Sequence, residues 1–375
     1  MARFRGGLLS ARDAAGELGL SRSRFYVLYA DFLRACAQRR QRSWVPGASG
    51  GRRHPAWSAE VCALLGKLLR ARPPASYSFA ACEVHRRHAL QLDRASVRRW
   101  ALAQGLAPDT RFKAPRKPVR RWQVQQVGQL WQYDASPHRW FGEGRPAFHL
   151  IEIIDDHSRV VPLARLYPRE SLLAHLDFLS TTFAACGLPL ALYVDYHSFF
   201  FTHQPDAFTQ LGAALRFYEV SLRYAPTPQA KGKVEREHQF WQGRLPAYFA
   251  SEKITELAEA NRHIDALRHH HNAKESHREL RQTPQQAWRA ALKEKRTVLR
   301  PAPACPWWPY VWSVRTQIKV GDDGRVPIGS QRLRLERPPG TKIVLCQHPT
   351  GHHSVLAHAP DPKQKPVLLF TNQPK

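Results

Sequence analysis

No uninterrupted apolar run in this 375-residue chain approaches the roughly 18 residues that a bilayer-spanning helix needs, so nothing in it reads as crossing a membrane. A secretory leader is not legible either: in MARFRGGLLSARDAAGEL, charge interrupts the chain before an apolar core of about 7 residues accumulates. The six cysteines, Cys36, Cys62, Cys82, Cys186, Cys305 and Cys346, are scattered with no CxxC pair, which fits the reduced thiols of a cytosolic protein better than a disulfide framework. Cys82, His85 and His88 recur three apart on an expected helix, but a zinc site there lacks a well-spaced fourth partner. The run His269, His270, His271 reads as a solvated helix end. Acids are scarce: 30 Asp and Glu face 57 Lys and Arg, a net charge of +27. Such an excess opposes compaction unless a polyanion neutralises it, which points to nucleic acid, with an anionic membrane surface as the plainer competitor.

What is there divides along the chain. In SARDAAGELGLSRSRFYVLYADFL, Ser10 caps a helix carrying Ala14, Ala15 and Leu18, Gly19 breaks it, and Ser21 caps a second helix with Phe25, Leu28 and Phe32. This is a helix-turn-helix pattern over residues 1–45, with Arg22 and Arg24 leading the second helix toward phosphate or base edges. A plain helical hairpin with its arginines in water is the alternative. A second such unit, helix-turn-helix or winged-helix-like, spans 55–107: a helix near 78–89, a turn, an Asp93 cap, and a helix carrying Arg94, Arg98 and Arg99 that stops at Gly105. SWVPGASGGRRHP between the two units reads as a flexible linker. Residues 108–122, proline-rich and basic, read as a linker that tracks a phosphate backbone.

Over 123–250 the character changes. LWQYDAS, FHLIEIID, RVVPLARLY and LALYVDY read as strands, the first three joined in a meander, and SLLAHLDFLSTTFAACG reads as a capped helix leading into the fourth. Strands in a meander and then alternating with helices predict an α/β domain with a mixed sheet. Residues 251–300 read as a charged helical segment, 306–358 as a small β-barrel-like domain, and 359–375 as a loose tail.

Three acids stand out. Asp134 lies in or just after the first expected strand, Asp195 at the end of LALYVDY, and Glu235 on the helix after PQAKGK. Carboxylates at strand ends face the crevice where α/β proteins build sites. With a third from a helix they can bind hard divalent cations, and two such ions about 4 Å apart suit phosphoryl transfer. The plainer reading of any one strand-end aspartate is a turn acid or cap, as for Asp155 and Asp156 in IDDHSR.

LWQYDAS, LIEIIDDHSR, YVDYHSFF and PTPQAKGKVEREHQF, in this order, resemble the integrase catalytic core of insertion-sequence transposases in the retroviral-integrase superfamily. HHHNAKESHRELRQTPQQAW resembles the segment that follows that core, with Asn272, His277, Leu280, Thr283, Pro284 and Trp288 in matching places. The resemblance implies an RNase H-like fold and a triad of Asp134, Asp195 and Glu235 binding two Mg²⁺ or Mn²⁺ ions. It implies hydrolytic cleavage at the ends of a DNA element, followed by attack of the freed 3′-hydroxyl on target DNA. The expected partner is double-stranded DNA, with self-assembly on it and a cytoplasmic, nucleoid-associated location. If the chain is helical from about Gln229, Lys231, Glu235, His238, Gln239 and Gln242 share a face, and Lys231, Lys233, Arg236, Gln239 and Gln242 are expected to hold DNA around the acid. One departure is the bulky Tyr196-His197 after the second aspartate, where the family has a small pair. A noncatalytic DNA-binding regulator and a metal-dependent nuclease of the same fold are the competing functions.

Overall fold

A computed structural model describes residues 1–38, 57–106, 123–202, 209–225, 231–329 and 331–372. Both expected linkers lie outside these residues. The chain divides into two units, 1–58 and 59–375.

The first unit holds α1 (Ala2–Arg5), α2 (Ala11–Glu17) and α3 (Arg22–Ala37). Ser10 Oγ accepts from Asp13 N and Ser21 Oγ from Arg24 N, so both serines cap as their positions require. Gly19, at φ +62°, supplies the left-handed residue that lets the chain turn between α2 and α3. Ala14, Ala15 and Phe25 form the small core, closed by the rings of Phe4 and Tyr29. Arg22 and Arg24 are exposed.

The second unit begins with α4 (Ala59–Arg70), α5 (Tyr77–His88) and α6 (Arg94–Ala103), packed in sequence. Asp93 caps α6 through Ser96 N at 2.9 Å, and Arg94, Arg98 and Arg99 are exposed along it. Residues 57–106 carry three helices and no strand, so within them the winged-helix alternative has no wing.

The central sheet comprises β1 (Trp131–His138), β2 (Phe148–Asp155), β3 (Leu163–Tyr167), β4 (Ala191–Val194) and β5 (Ser221–Tyr224) in the order β3-β2-β1-β4-β5. The first three are antiparallel, and β4 and β5 run parallel to β1. This is the mixed α/β sheet that the strand pattern predicts. Crossovers α7 (Leu172–Cys186) and α8 (Gln210–Phe217) cover one face, where Trp131, Tyr133, Ile151 and Ile153 meet Phe178, Phe183 and Leu215. Because side chains alternate along a strand, Gln132 and Asp134 of β1 point to the other face. That face is covered by α9 (Gly232–Gln242), while α10 (Leu245–Glu252) packs on α4 and α11 (Leu257–Lys274) on β3.

The segment that follows the core is structural. Asn272 of α11 donates to Val161 O and accepts from Val161 N, in effect completing a backbone pair. Thr283 caps α12 (Pro284–Lys293) in a capping box with Gln286, Pro284 fills its first turn, and Trp288 packs on the main core.

After the short α13 (Trp308–Val311) come β6 (Val314–Lys319), β7 (Arg325–Ile328), β8 (Gln331–Arg334), β9 (Lys342–Gln347), β10 (His353–Leu356) and β11 (Leu368–Asn372). They form a four-stranded sheet, β11-β10-β9-β6, and a separate β7–β8 hairpin rather than a closed barrel. Trp307, Trp312, Val344 and Leu356 merge into the main core, with Trp312 stacked on Tyr218. The segment expected to be a loose tail supplies β11: Phe370 and Thr371 pair with β10, and Phe370 packs on the second core cluster.

Candidate active site

Asp134 lies in the middle of β1, not at its end, in register with Glu152 of β2. Asp195 directly follows β4, which pairs with β1 only at Trp131 and Gln132, so the strands part just where the two aspartates stand. Glu235 is in the first turn of α9. The fold thus brings the three acids within electrostatic reach of one another from two interior strands and a helix.

Helix α9 is pinned onto β1 and β2 by side chains rather than by apolar packing alone. Val234 N donates to Gln132 Oε1 at 3.3 Å, Gln242 Nε2 to Ser136 Oγ at 3.0 Å, and Trp241 Nε1 to Glu152 Oε1 at 2.6 Å. Val234, Glu237, His238 and Trp241 are its buried positions, the spacing of one helix face.

Lys231, 4% exposed, puts Nζ 2.7 Å from Asp134 Oδ1 and 3.3 Å from Asp195 Oδ2. One cation therefore bridges both carboxylates. Burial raises the Asp134 pKa, which the ammonium offsets only in part. Glu235 is also shifted upward, by burial first and then by the Asp134 charge, so the two acids are within electrostatic reach. The three carboxylates are nevertheless more open than a closed metal cage. Among the described residues, the ligand atoms that lie within 4.8 Å of one another belong instead to Cys82, His270 and Glu275.

The basic side chains expected around the acid have partners within the protein: Lys231 bridges the two aspartates, and Lys233 Nζ lies 2.5 Å from Asp156 Oδ1, with burial drawing its pKa down to about 8. Arg236 is exposed but pairs with Glu279 at 3.0 Å, and Gln242 is held by Ser136. Gln239 is exposed. The Tyr196-His197 bulk is accommodated: Tyr196 stacks on Tyr224 at 5.1 Å, and His197 N donates to Asp195 Oδ1.

Asp155 and Asp156 are fully buried anchors rather than plain turn acids. Asp155 accepts from Gly128 N, Trp131 Nε1 and both Ser158 donors, and Asp156 from Val124 N, Gln132 Nε2 and Lys233. Of the histidine run, His269 is exposed as expected, but His270 is half-buried and His271 buried. His271 is buried between Glu237, 3.5 Å away, and Glu275, 3.4 Å away, while His270 meets Cys82. Cys82 donates to Glu275, not to a partner on its own helix.

Sequence reasoning also missed a buried pair behind Asp134. His238 Nδ1 is 3.7 Å from Asp134 Oδ2, and its Nε2 is 3.5 Å from Glu152 Oε2. Burial pushes His238 down to about 3 and Glu152 well above the usual carboxylate range. The available signal was an acid inside the apolar run FHLIEIID.

No family model matches the chain. Over 167 residues it is 35% identical to the transposase for insertion sequence IS1202 of Streptococcus pneumoniae, covering 42% of this chain and 34% of that protein. Over 192 residues it is 31% identical to y4bF of Sinorhizobium fredii (strain NBRC 101917 / NGR234), whose name assigns it provisionally to the transposases, covering 49% and 41%. The chain is similar to insertion-sequence transposases, and it spans between a third and a half of the length of these relatives. Among solved structures it is similar to the HTLV-2 integrase catalytic core domain in complex with magnesium, at 16% identity, 43% and 97% coverage and a TM-score of 0.36. It is also similar to a simian T-cell lymphotropic virus intasome in complex with a PP2A regulatory subunit, at 14% identity, 77% and 96% coverage and a TM-score of 0.40. No helix among the described residues is long and apolar enough to cross a membrane.

Proposed function

From the similarity to insertion-sequence transposases and the geometry where β1 and β4 part, we propose that the chain is a DDE-type transposase, a polynucleotidyl transferase that cleaves the ends of its DNA element and joins them to target DNA. The observation that carries this reading is the Lys231 ammonium held between Asp134 and Asp195, with Glu235 one helical turn along α9. Two carboxylates that share one buried cation form an oxygen-rich cation site, and the donor set suits Mg²⁺ or Mn²⁺. Asp134, Asp195 and Glu235 would hold two such ions.

Bound there, divalent ions activate the attacking oxygen and stabilise the leaving one. The chain's own part is positioning and charge. Strands β1 and β4 fix the aspartates, α9 brings Glu235, and Lys231 is close enough to pair with the scissile phosphate once the carboxylates are otherwise neutralised. In the first step a water oxygen bonds to phosphorus as the P–O3′ bond breaks, leaving a 3′-hydroxyl and a 5′-phosphate. In the second, that 3′-oxygen bonds to a target phosphorus as the target's P–O3′ bond breaks, so no protein–DNA bond forms. Arg22, Arg24, Arg94, Arg98 and Arg99 are exposed on helices that follow a turn and are the proposed DNA contacts, with Arg236 and Gln239 nearer the acids. Assembly of two or more copies on DNA and a cytoplasmic, nucleoid-associated location complete the reading.

The test is incubation of the chain with duplexes from the DNA that flanks its gene, with Mg²⁺. Wild type is expected to nick them, and Asp134→Asn to bind without cutting. Absence of cleavage by wild type across these duplexes and Mn²⁺ would turn the reading toward a noncatalytic DNA-binding regulator.

A further inference from the structure

Behind Asp134 runs a line of three side chains from three elements: Asp134 on β1, His238 on α9 and Glu152 on β2. His238 is 5% exposed and Glu152 not at all. The imidazole lies between the two carboxylates, with Nδ1 3.7 Å from Asp134 Oδ2 and Nε2 3.5 Å from Glu152 Oε2. Both facing atoms of the second contact, His238 Nε2 and Glu152 Oε2, are buried without a hydrogen-bond partner. The other Glu152 oxygen is fixed by Trp241 Nε1 at 2.6 Å, so the open oxygen is aimed by a defined contact. Glu152 sits between Ile151 and Ile153 in a strand where an apolar side chain would avoid the cost of desolvating a carboxyl group. A packing role alone does not explain that placement. At 3.7 and 3.5 Å neither contact is yet a hydrogen bond, and each closes when its own carboxylate turns toward the ring.

We propose that His238, backed by Glu152, is a positioning residue for Asp134: its Nδ1–H donates to Asp134 Oδ2, and Nε2 accepts from the Glu152 carboxyl. Asp134 Oδ1, the oxygen that Lys231 holds, is thereby presented to a divalent cation while its partner oxygen is occupied. Groups that orient a metal-binding carboxylate typically change metal affinity by about 10- to 100-fold when removed. This inference rests on the reading of Asp134 as a cation-binding carboxylate.

The experiment is titration of the full chain with Mn²⁺, in which free Mn²⁺ is read by electron paramagnetic resonance and folding of each variant by circular dichroism. Loss of binding in Asp134→Asn establishes the parent reading, whereas a wild-type chain that does not bind Mn²⁺, or an Asp134→Asn variant that binds normally, defeats that reading itself. Given that control, His238→Phe is expected to weaken Mn²⁺ about 10- to 100-fold. His238→Asn, whose amide nitrogen replaces Nδ1, should stay within about threefold of wild type. Glu152→Gln, a permanent donor to Nε2, should stay equally close, and Glu152→Met should fall with His238→Phe. Folded His238→Phe with wild-type affinity, or Glu152→Gln as damaged as Glu152→Met, overturns the proposal. If His238→Phe does not fold, the two Glu152 variants decide it by the same comparison.

Discussion

The Lys231 ammonium lies 2.7 Å from Asp134 Oδ1, deep enough that only 5% of the lysine side chain is exposed. A buried cation that neutralises two carboxylates is needed only while nothing else does so. Lys231→Met should therefore lower stability in EDTA by roughly 1–3 kcal/mol, less than for a dry pair because Asp195 is half exposed. Saturating Mg²⁺ should stabilise this variant more than wild type. Thermal melts with and without Mg²⁺ check it, and equal shifts in both proteins would contradict it.

Exposed arginines and internally paired lysines should separate cleanly in DNA binding. Arg94→Ala with Arg98→Ala on α6 is expected to weaken binding and to reduce the slope of log K against log salt by up to about 0.9 for each phosphate no longer neutralised. Lys233→Met should leave that slope unchanged and instead lower the melting temperature, because it strands Asp156 without its cation. Anisotropy titrations at several salt concentrations, alongside melts, check both. A reduced slope for Lys233→Met would return that lysine to the DNA surface.

Glu275 gives a pH prediction with a defined sign. Burial alone would raise its pKa, but His271 and Arg244, the latter at 2.6 Å, outweigh burial and hold it well below the carboxylate range. A depressed folded-state pKa adds stability that is fully present above the unfolded value, about 4.3, and is lost as pH falls through the folded one. Between pH 7 and 5 the gap between wild type and Glu275→Gln follows the charging of His271, whose pKa Glu275 helps to raise; below about pH 4 it should shrink as Glu275 itself is protonated. Urea melts across that range check it, and a gap that keeps widening below about pH 4 would contradict it.

The sheet was legible because its strands carry strong patterns. Trp131, Tyr133, Ile151 and Ile153 fall on alternate positions, and the Asp134, Asp195 and Glu235 motifs come in a recognisable order. The capped helices were legible for the same local reason: Ser10, Ser21, Asp93 and Thr283 each accept from the backbone three residues on. What escaped was set by long-range pairing. Nothing near Lys231 or Lys233 in sequence says that one will bridge strand carboxylates and the other will reach Asp156, since those partners lie 97 and 77 residues away. His271 reads as solvated, and nothing in the sequence marks Glu152 as a site residue, until Glu237 and Trp241 of α9 close over them. β11 was hidden because Leu368–Asn372 becomes a strand only by pairing with β10.

On the proposed reading, Asp134, Asp195 and Glu235 act together in DNA joining. The direct measurement presents a labelled duplex from the gene's flanking DNA, carrying a free 3′-hydroxyl, to a supercoiled plasmid with Mn²⁺ and the full chain. Wild type is expected to transfer label covalently to the plasmid. Asp134→Asn, Asp195→Asn and Glu235→Gln are expected to transfer none, each still binding the duplex. Nicking without any joined product would mark a nuclease of the same fold, and joining that survives the loss of any one of the three acids would contradict the claim outright.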